Sequence, residues 1–310
     1  MTELERRYTR LLRLYPTGYR QARGAEMLAV LMDSAPPDRR RPQWREVRGL
    51  ILGALRVRAG ANDRRTAGQS WRVALRAAAL MLLIQYAGNA LWPLMYNPDD
   101  AGVPIAQVAV SIAIATACVL AIVAVFRGAY LAAAVVSAGA FVLETIGPQI
   151  VAHFATLPYS TFGLSSGGLP LVVVLLIPLI GRGPVVVPRK LNLLLLVPVV
   201  SVALNAYGTL TQDPDFQTGS RAVWQTFAVA AILWSVVDER VAMTFGLAFF
   251  SVVVDRAMPD LVLGGWSTWR WPLTDWSMWR WTLADMAILA ILPVLDIAIG
   301  ATVAVRRARI

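Results

Sequence analysis

The stretch VPIAQVAVSIAIATACVLAIVAVF, residues 103–126, contains no charged side chain. A helix needs about 20 consecutive apolar residues to span the hydrocarbon core of a bilayer, which is about 30 Å thick. The sequence therefore predicts an all-α fold, a polytopic membrane helix bundle of about eight transmembrane helices. The other seven apolar stretches lie at residues 74–96, 129–157, 162–180, 191–210, 222–237, 241–258 and 283–305.

Two of the eight stretches are weaker than the rest. The fourth is rich in glycine and proline, and the sixth has only 16 residues. Either could enter and leave the membrane on the same side, which would reduce the number of crossings. The chain as a whole, with 57% hydrophobic residues, is still too apolar for an ordinary soluble protein.

The basic residues sort to one side of these stretches. Residues 1–76 hold 17 arginines and seven acids, which accounts for the whole net charge of +10. Lys and Arg mark the cytoplasmic side of membrane proteins. With the N-terminus inside and eight crossings, 25 of the 29 Lys and Arg residues fall on that side. We therefore predict a multi-pass protein of the cell inner (plasma) membrane with both termini cytoplasmic.

The residues before the first apolar stretch predict a small, basic, cytoplasmic module. Apolar residues at helical spacing indicate three amphipathic helices, near residues 2–14, 19–33 and 42–59, with Pro42 as the expected first residue of the third. The predicted parts of the chain are the module at 1–62, a linker at 63–73, the transmembrane bundle at 74–305 and a basic cytoplasmic tail at 306–310.

The third helix of the module carries a basic face that predicts docking. Arginines near a membrane surface attract anionic lipid, and the same face could bind an acidic cytoplasmic protein. The simpler interpretation is charge that only orients the first transmembrane helix. Nucleic acid is the weakest partner, because no DNA-reading motif is present. The candidate docking residues are Arg45, Arg48, Arg56 and Arg58.

The module also resembles a known kind of prefix. The residues concerned are Arg6-Arg7-Tyr8, Leu11-Leu12-Arg13-Leu14-Tyr15-Pro16, Tyr19-Arg20, Gly24 and Glu26-Met27-Leu28. They look like the prefix of many actinobacterial integral membrane proteins of unknown function. They are also similar to the N-terminal prefix of some ABC-type permeases and of membrane proteins encoded beside PadR-like regulators. One lysine against 28 arginines fits a GC-rich actinobacterial genome.

A tryptophan-rich repeat precedes the last apolar stretch. Residues 266–285 read WSTWRWPLTD and then WSMWRWTLAD, with seven of ten positions identical. Tryptophan prefers the bilayer interface, because its ring is apolar and its N–H needs a partner. The repeat is therefore expected at the outer interface, either as an aromatic belt or as a lid or lipid-recognition surface. Its residues are Trp266, Trp269, Arg270, Trp271, Trp276, Trp279, Arg280 and Trp281.

A few polar residues fall inside the apolar stretches, where charges are costly and usually face the bundle interior. Gln85, Glu144 and Asp296 are expected near the middle of the membrane, with Asp285 at the outer mouth. They could form a polar track for protons or a cationic solute. Alternatively, one or two protonated carboxyls could simply hydrogen-bond neighbouring helices.

The sequence contains no set of residues that predicts catalysis or a cofactor. No nucleophile–base pair, Walker lysine or HExxH motif is present. One histidine and one cysteine make a poor metal-ligand set, so no metal is predicted. We therefore predict a non-enzymatic membrane protein with a regulatory or accessory role. The alternative is a small-solute or proton-coupled transporter, or a permease-like subunit, that uses Glu144 and Asp296; an intramembrane enzyme acting on lipid is a weaker third.

Overall fold

The computed structural model describes residues 2–36, 39–59, 66–91, 94, 105–155, 168–185, 189–211, 214–258 and 276–308. Within these ranges the chain forms eleven α-helices, short 3₁₀ turns and no strand. The predicted all-α class is therefore confirmed.

The N-terminal module is made of the first three helices: α1 Glu3–Leu12, α2 Thr17–Asp33 and α3 Trp44–Ala59. A capping box starts α1, because the Thr2 hydroxyl accepts from the Glu5 N–H at 3.2 Å. The third helix begins two residues after the predicted Pro42. The reason is the Glu46 carboxylate, which accepts from the Gln43 N–H at 2.8 Å and so fixes the first turn.

The module has its own apolar core, separate from that of the bundle. Two contacts besides apolar packing join α1 to α3. The Tyr8 hydroxyl donates to Glu46 Oε2 at 2.6 Å, and Arg58 Nε donates to the Leu14 carbonyl at 2.8 Å. The buried core residues are Leu4, Tyr8, Leu12, Tyr15, Leu50 and Ala54.

Eight helices follow the module, joined in part by 3₁₀ turns at Ile177–Leu179 and Arg189–Leu195. Among the described residues, four segments are long and apolar enough to cross a membrane: Ala67–Ala90, Ile105–Phe126, Tyr130–Gly147 and Leu191–Thr211. Gly168–Leu179 and Val223–Trp234 are shorter apolar helices. The eight helices are α4 Ala67–Ala90, α5 Ile105–Phe126, α6 Tyr130–Ala155, α7 Gly168–Leu176, α8 Leu196–Thr211, α9 Pro214–Trp234, α10 Glu239–Met258 and α11 Trp276–Ala308.

The first bundle helix starts inside the predicted linker. Thr66 caps α4 through a capping box with Gln69, so the helix begins at Ala67 rather than at residue 74. Arg72 and Arg76 interrupt the apolar run in the sequence, although they belong to the helix. Residues 67–73 of the predicted linker are therefore helical.

Helix α4 is the centre of the bundle. It packs against α5, α7, α8, α10 and α11. Small alanines on several sides allow these close approaches, and every residue from Ala77 to Leu83 is buried. The main hydrophobic core is therefore built around this helix.

The hydrogen bonds define two ends of the bundle. We call the end where α4 and α10 begin the module end, and the opposite end the far end. At the module end the Ser70 hydroxyl donates to Glu239 at 3.0 Å. The α5–α6 turn lies there too, with Gly128 at φ 78, a conformation that favours glycine. At the far end the Gly168 N–H donates to the Tyr86 hydroxyl at 2.8 Å.

Candidate functional site at the junction of module and bundle

Three consecutive charged residues at the start of α10 are all buried. Asp238, Glu239 and Arg240 are 3%, 7% and 1% exposed. Arg240 Nε donates to Asp238 Oδ1 at 2.7 Å, and Arg240 Nη2 donates to Oδ2. The Arg240 N–H also donates to Oδ1, at 3.1 Å. This bidentate pair fixes the backbone of the turn, because both side chains and one amide share one carboxylate.

Glu239 connects the turn to two further helices. Its carboxylate accepts from Ser70 on α4, and it lies at the N-terminus of α10, where the helix dipole favours a negative charge. Gly300 of α11 passes close by: a Cβ on this glycine would lie 2.9 Å from the Glu239 carbonyl oxygen. Three bundle helices therefore meet at this turn.

The module reaches the same turn through one arginine. Arg56 Nε, on α3, donates to the Val236 carbonyl at 3.1 Å, across 180 residues of sequence. The turn is thus contacted from the module side by α3 and from the bundle side by α4 and α11. We call this set, Arg56, Ser70, Val236, Asp238, Glu239 and Arg240, the junction.

Two more arginines hold the neighbouring connection between α7 and α8. Arg72 Nη2 donates to the Arg182 carbonyl at 2.5 Å, and Arg76 donates to the Val185 carbonyl. The Arg76 guanidinium also lies 5.7 Å from the centre of the Phe126 ring, a cation–π contact. Hydrogen bonds from two arginines of α4 to backbone carbonyls of the α7–α8 connection therefore stabilise the module end of the bundle.

The four predicted docking arginines separate into two pairs. Arg45 and Arg48 are exposed. Arg56 binds the turn before α10, and Arg58 binds the Leu14 carbonyl within the module. The prediction treated all four as one docking face, because spacing along a helix does not reveal which side chains already have partners.

The predicted polar track falls on two different helix pairs. Glu144 is buried on α6, close enough to Cys118 of α5 for an electrostatic interaction. Asp296 is fully buried on α11, where its Cβ would lie 2.8 Å from a Cβ built on Gly246 of α10. Gln85 of α4 donates to Asn89 at 3.1 Å. The side chain of Asp285 lies outside the described residues.

The tryptophan repeat lies mostly outside the described residues. Residues 266–275, which include Trp266, Trp269, Arg270 and Trp271, are not among them. The second decapeptide forms the start of α11, since that helix begins at Trp276. The side chains of Trp276, Trp279, Arg280 and Trp281 also lie outside the described residues, so the predicted interfacial surface stays a prediction.

Most of the junction was not predicted from the sequence. Arg240 was counted only among the cytoplasmic charges, and Ser70, Asp238 and Glu239 were not candidate residues. The available signal was the triplet Asp238-Glu239-Arg240 between two apolar stretches. Charged residues in so short a connection must find partners at the end of the bundle.

A second set of polar contacts, partly buried, lies within the module. Glu46 Oε1 forms an ion pair with Arg39 at 2.7 Å, and Glu46 Oε2 accepts from Tyr8. The Tyr8 hydrogen bond is the main reason that the pKa of Glu46 is lowered from its usual value of 4.5. Burial, followed by the hydrogen bond to Glu46, raises the pKa of Tyr8 above its usual value of 10.0.

These shifts give the module a pH dependence with a defined sign. Glu46 stabilises the folded module above pH 4.5, and this contribution is lost as the pH falls through its lowered folded pKa. Tyr8 contributes below pH 10.0, and its contribution is lost as the pH rises through its raised folded pKa.

Replacing Glu46 with Gln is expected to destabilise the module by about 2 kcal/mol at pH 7, the scale of a hydrogen bond to a charged group. The change in stability would be measured as the change in the hydrogen-exchange protection factors of the α1 backbone amides. These factors already correct for the effect of pH on the intrinsic exchange rate. The matched control is Glu3→Gln, which removes an exposed acid of α1 and is expected to leave protection unchanged. Equal protection in wild type and Glu46→Gln would contradict the expected role of this carboxylate.

No protein-family model, curated protein or solved structure matches this chain. Any function must therefore be argued from its own residues and contacts.

Proposed function

We propose that this chain is a non-enzymatic protein of the plasma membrane that crosses it about eight times, with both termini in the cytoplasm. Its N-terminal module is a regulatory or accessory element. The grouping of basic residues supports this orientation. Arg72, Arg182 and Arg240 all lie at the module end of the bundle, and basic residues mark the cytoplasmic face.

The observation that carries the regulatory role is the hydrogen bond from Arg56 to the Val236 carbonyl. The module folds around its own core, so it can bind a lipid or a protein as a unit. Any force on α3 acts through Arg56 on the Val236 carbonyl, two residues before the buried Asp238 and three before the start of α10. A local contact at the module can thereby bias the packing of α10 against α4 and α11.

Deleting residues 1–62 tests this proposal. The cap of α4 at Thr66 is kept, so we expect the truncated protein to insert and fold, and to lose partner binding, measured as cross-linked partners identified by mass spectrometry. The orientation of the protein in the membrane is measured in both the full-length and the truncated protein. For this, Cys118 is replaced with Ser and Ser267 is then replaced with Cys. An impermeant thiol reagent should label this position in intact cells. Inverted insertion or degradation of the truncated protein would remove the support for a separate regulatory module.

The second candidate function is transport of protons or a small cation, and Asp296 favours it. This side chain is fully buried, and neither carboxylate oxygen has a hydrogen-bond partner among the described residues. A buried carboxyl at bilayer depth marks proton or cation pathways in many membrane proteins. Because Glu144 lies near Cys118 of α5 and Asp296 lies at the α10–α11 contact, the two acids would act at separate places in the bundle rather than along one shared track.

Amide substitutions separate transport from a structural role. If transport uses these acids, Asp296→Asn or Glu144→Gln should abolish pH-dependent proton flux in reconstituted vesicles. Stability should change by no more than about 1 kcal/mol, since an amide keeps shape and hydrogen bonding. If the acids are structural, the amides are silent and only Leu substitutions destabilise. Unchanged flux in both amide variants would exclude the transport proposal.

A further inference from the structure

Helix α3 has a second apolar side that the module core does not use. Leu50 and Ala54 face that core, together with the Glu46 carboxylate. Trp44 is 74% exposed at the first residue of the helix. Ile51, at a spacing of seven residues, lies within about 20° of it around the helix axis, because each residue turns the helix by about 100°. Leu55 lies on the same side, 11 residues after Trp44.

The first half of α3 and the residues just before it are strongly basic. Arg45 and Arg48 are exposed on α3, and Arg40 and Arg41 are exposed just before it. Among the described residues, none of these four forms an ion pair with an acid. The acid within the segment, Glu46, already binds Tyr8 and Arg39. An exposed indole therefore lies close to positive charge that no carboxylate among the described residues neutralises.

We propose that this surface, made of Arg40, Arg41, Trp44, Arg45, Arg48, Ile51 and Leu55, binds anionic lipid headgroups next to the bundle. This deepens the proposed function, on which it rests, by naming the surface and the ligand. The predicted docking set is replaced: Arg56 and Arg58 hold the module together and to the bundle, while Trp44 and the arginines before it bind lipid.

Three observations favour lipid over an acidic protein. Arg56 fixes the C-terminal half of α3 to a turn at the end of two bundle helices, so the bilayer interface is adjacent to it. Trp44 is about three turns from Arg56 on the same helix, or roughly 18 Å at 1.5 Å per residue, so α3 would bring it to the headgroup region if the helix lies along the bilayer surface. A helix with tryptophan and leucine on one face, bordered by arginines, is typical of segments that lie in a membrane interface.

A lipid contact at this surface would be transmitted directly to the junction. Trp44 and Arg56 belong to one continuous helix, so a displacement of its N-terminal end moves Arg56 against the Val236 carbonyl. The content of anionic lipid would then set the position of the turn that leads into Glu239 and Arg240 at the start of α10. The regulated quantity would be the packing of α10 at the module end.

The test uses the full-length protein in lipid nanodiscs. In a Cys118→Ser background, Gln43→Cys places an environment-sensitive fluorophore beside Trp44, on a side chain that is exposed. Nanodiscs contain phosphatidylcholine alone or phosphatidylcholine with phosphatidylglycerol, with brominated acyl chains as quenchers. We expect strong quenching only with phosphatidylglycerol, and its loss in Trp44→Ala and in Arg45→Gln/Arg48→Gln. High salt should weaken it, because the arginine–phosphate attraction is screened.

The matched control is Arg10→Gln/Arg13→Gln, which removes the same charge from two exposed positions, one on α1 and one just after it, and should keep the quenching. Equal quenching of the fluorophore at position 43 in both lipid compositions would overturn the proposal. The proposal would also be overturned if the fluorophore became shielded from water only after soluble cell extract was added, because an acidic protein rather than lipid would then cover this surface. Both faces of a nanodisc carry the same lipid, so the quenching does not depend on the orientation of the protein. An error in the proposed topology would appear only in the labelling of Ser267→Cys in intact cells.

Discussion

Replacing Asp238 with Asn is expected to destabilise the protein by about 3 kcal/mol, the lower end of the range for breaking a buried ion pair. The substitution keeps the shape of the side chain and removes its charge. The Arg240 guanidinium, only 1% exposed, is then left without its counter-charge. One of its nitrogens, Nη1, already has no hydrogen-bond partner among the described residues, which makes the loss of the carboxylate harder to compensate. Reversible unfolding in detergent would measure the change.

The double substitution Asp238→Leu/Arg240→Met provides the matched comparison. Replacing a buried ion pair by apolar residues of similar size is often neutral or stabilising, so the double variant should recover most of the stability lost in Asp238→Asn. Glu3→Gln, which breaks the exposed pair with Arg7 at 3.0 Å, should leave stability unchanged. Destabilisation of the double variant equal to that of the single variant would show that the turn needs these residues for some other reason.

The fold class could be predicted because its signal is local. A run of apolar residues long enough for a membrane helix is visible in any window of the sequence, and residues 103–126 correspond closely to α5. Helix starts were displaced where a capping side chain decided them, as Thr66 does for α4 and Glu46 for α3. Hydropathy contains no information about such caps.

The junction could not be predicted because its partners are distant in sequence. Ser70 and Glu239 are 169 residues apart, and Arg56 and Val236 are 180 apart. Their meeting depends on which helices become neighbours in the bundle, and amphipathic spacing does not specify that order. The same reason separates Glu144 from Asp296. The sequence predicts that both lie inside apolar stretches, but not that one faces α5 and the other α10.

Gly246 decides how closely α10 and α11 approach each other at Asp296. A Cβ at this position would lie 2.7 Å from the Pro293 carbonyl oxygen and 2.8 Å from the Asp296 Cβ. The obstructing oxygen belongs to the backbone of α11, so a side-chain rotation cannot relieve the clash and the helices must separate. Small residues at such contacts allow the van der Waals packing that holds membrane helices together.

We therefore expect Gly246→Ala to destabilise the protein by about 3 kcal/mol, near the upper end for overpacking a tight contact. Gly139→Ala is an identical substitution in α6, where a Cβ would meet nothing within 4 Å. There the higher helix propensity of alanine should leave stability equal or raise it by up to about 1 kcal/mol. Both variants would be unfolded in the same detergent. If the two variants lose equal stability, the glycine contact does not set the spacing of α10 and α11. If only Gly246→Ala loses stability, the close approach of the two helices at Asp296 depends on the absence of a side chain at position 246.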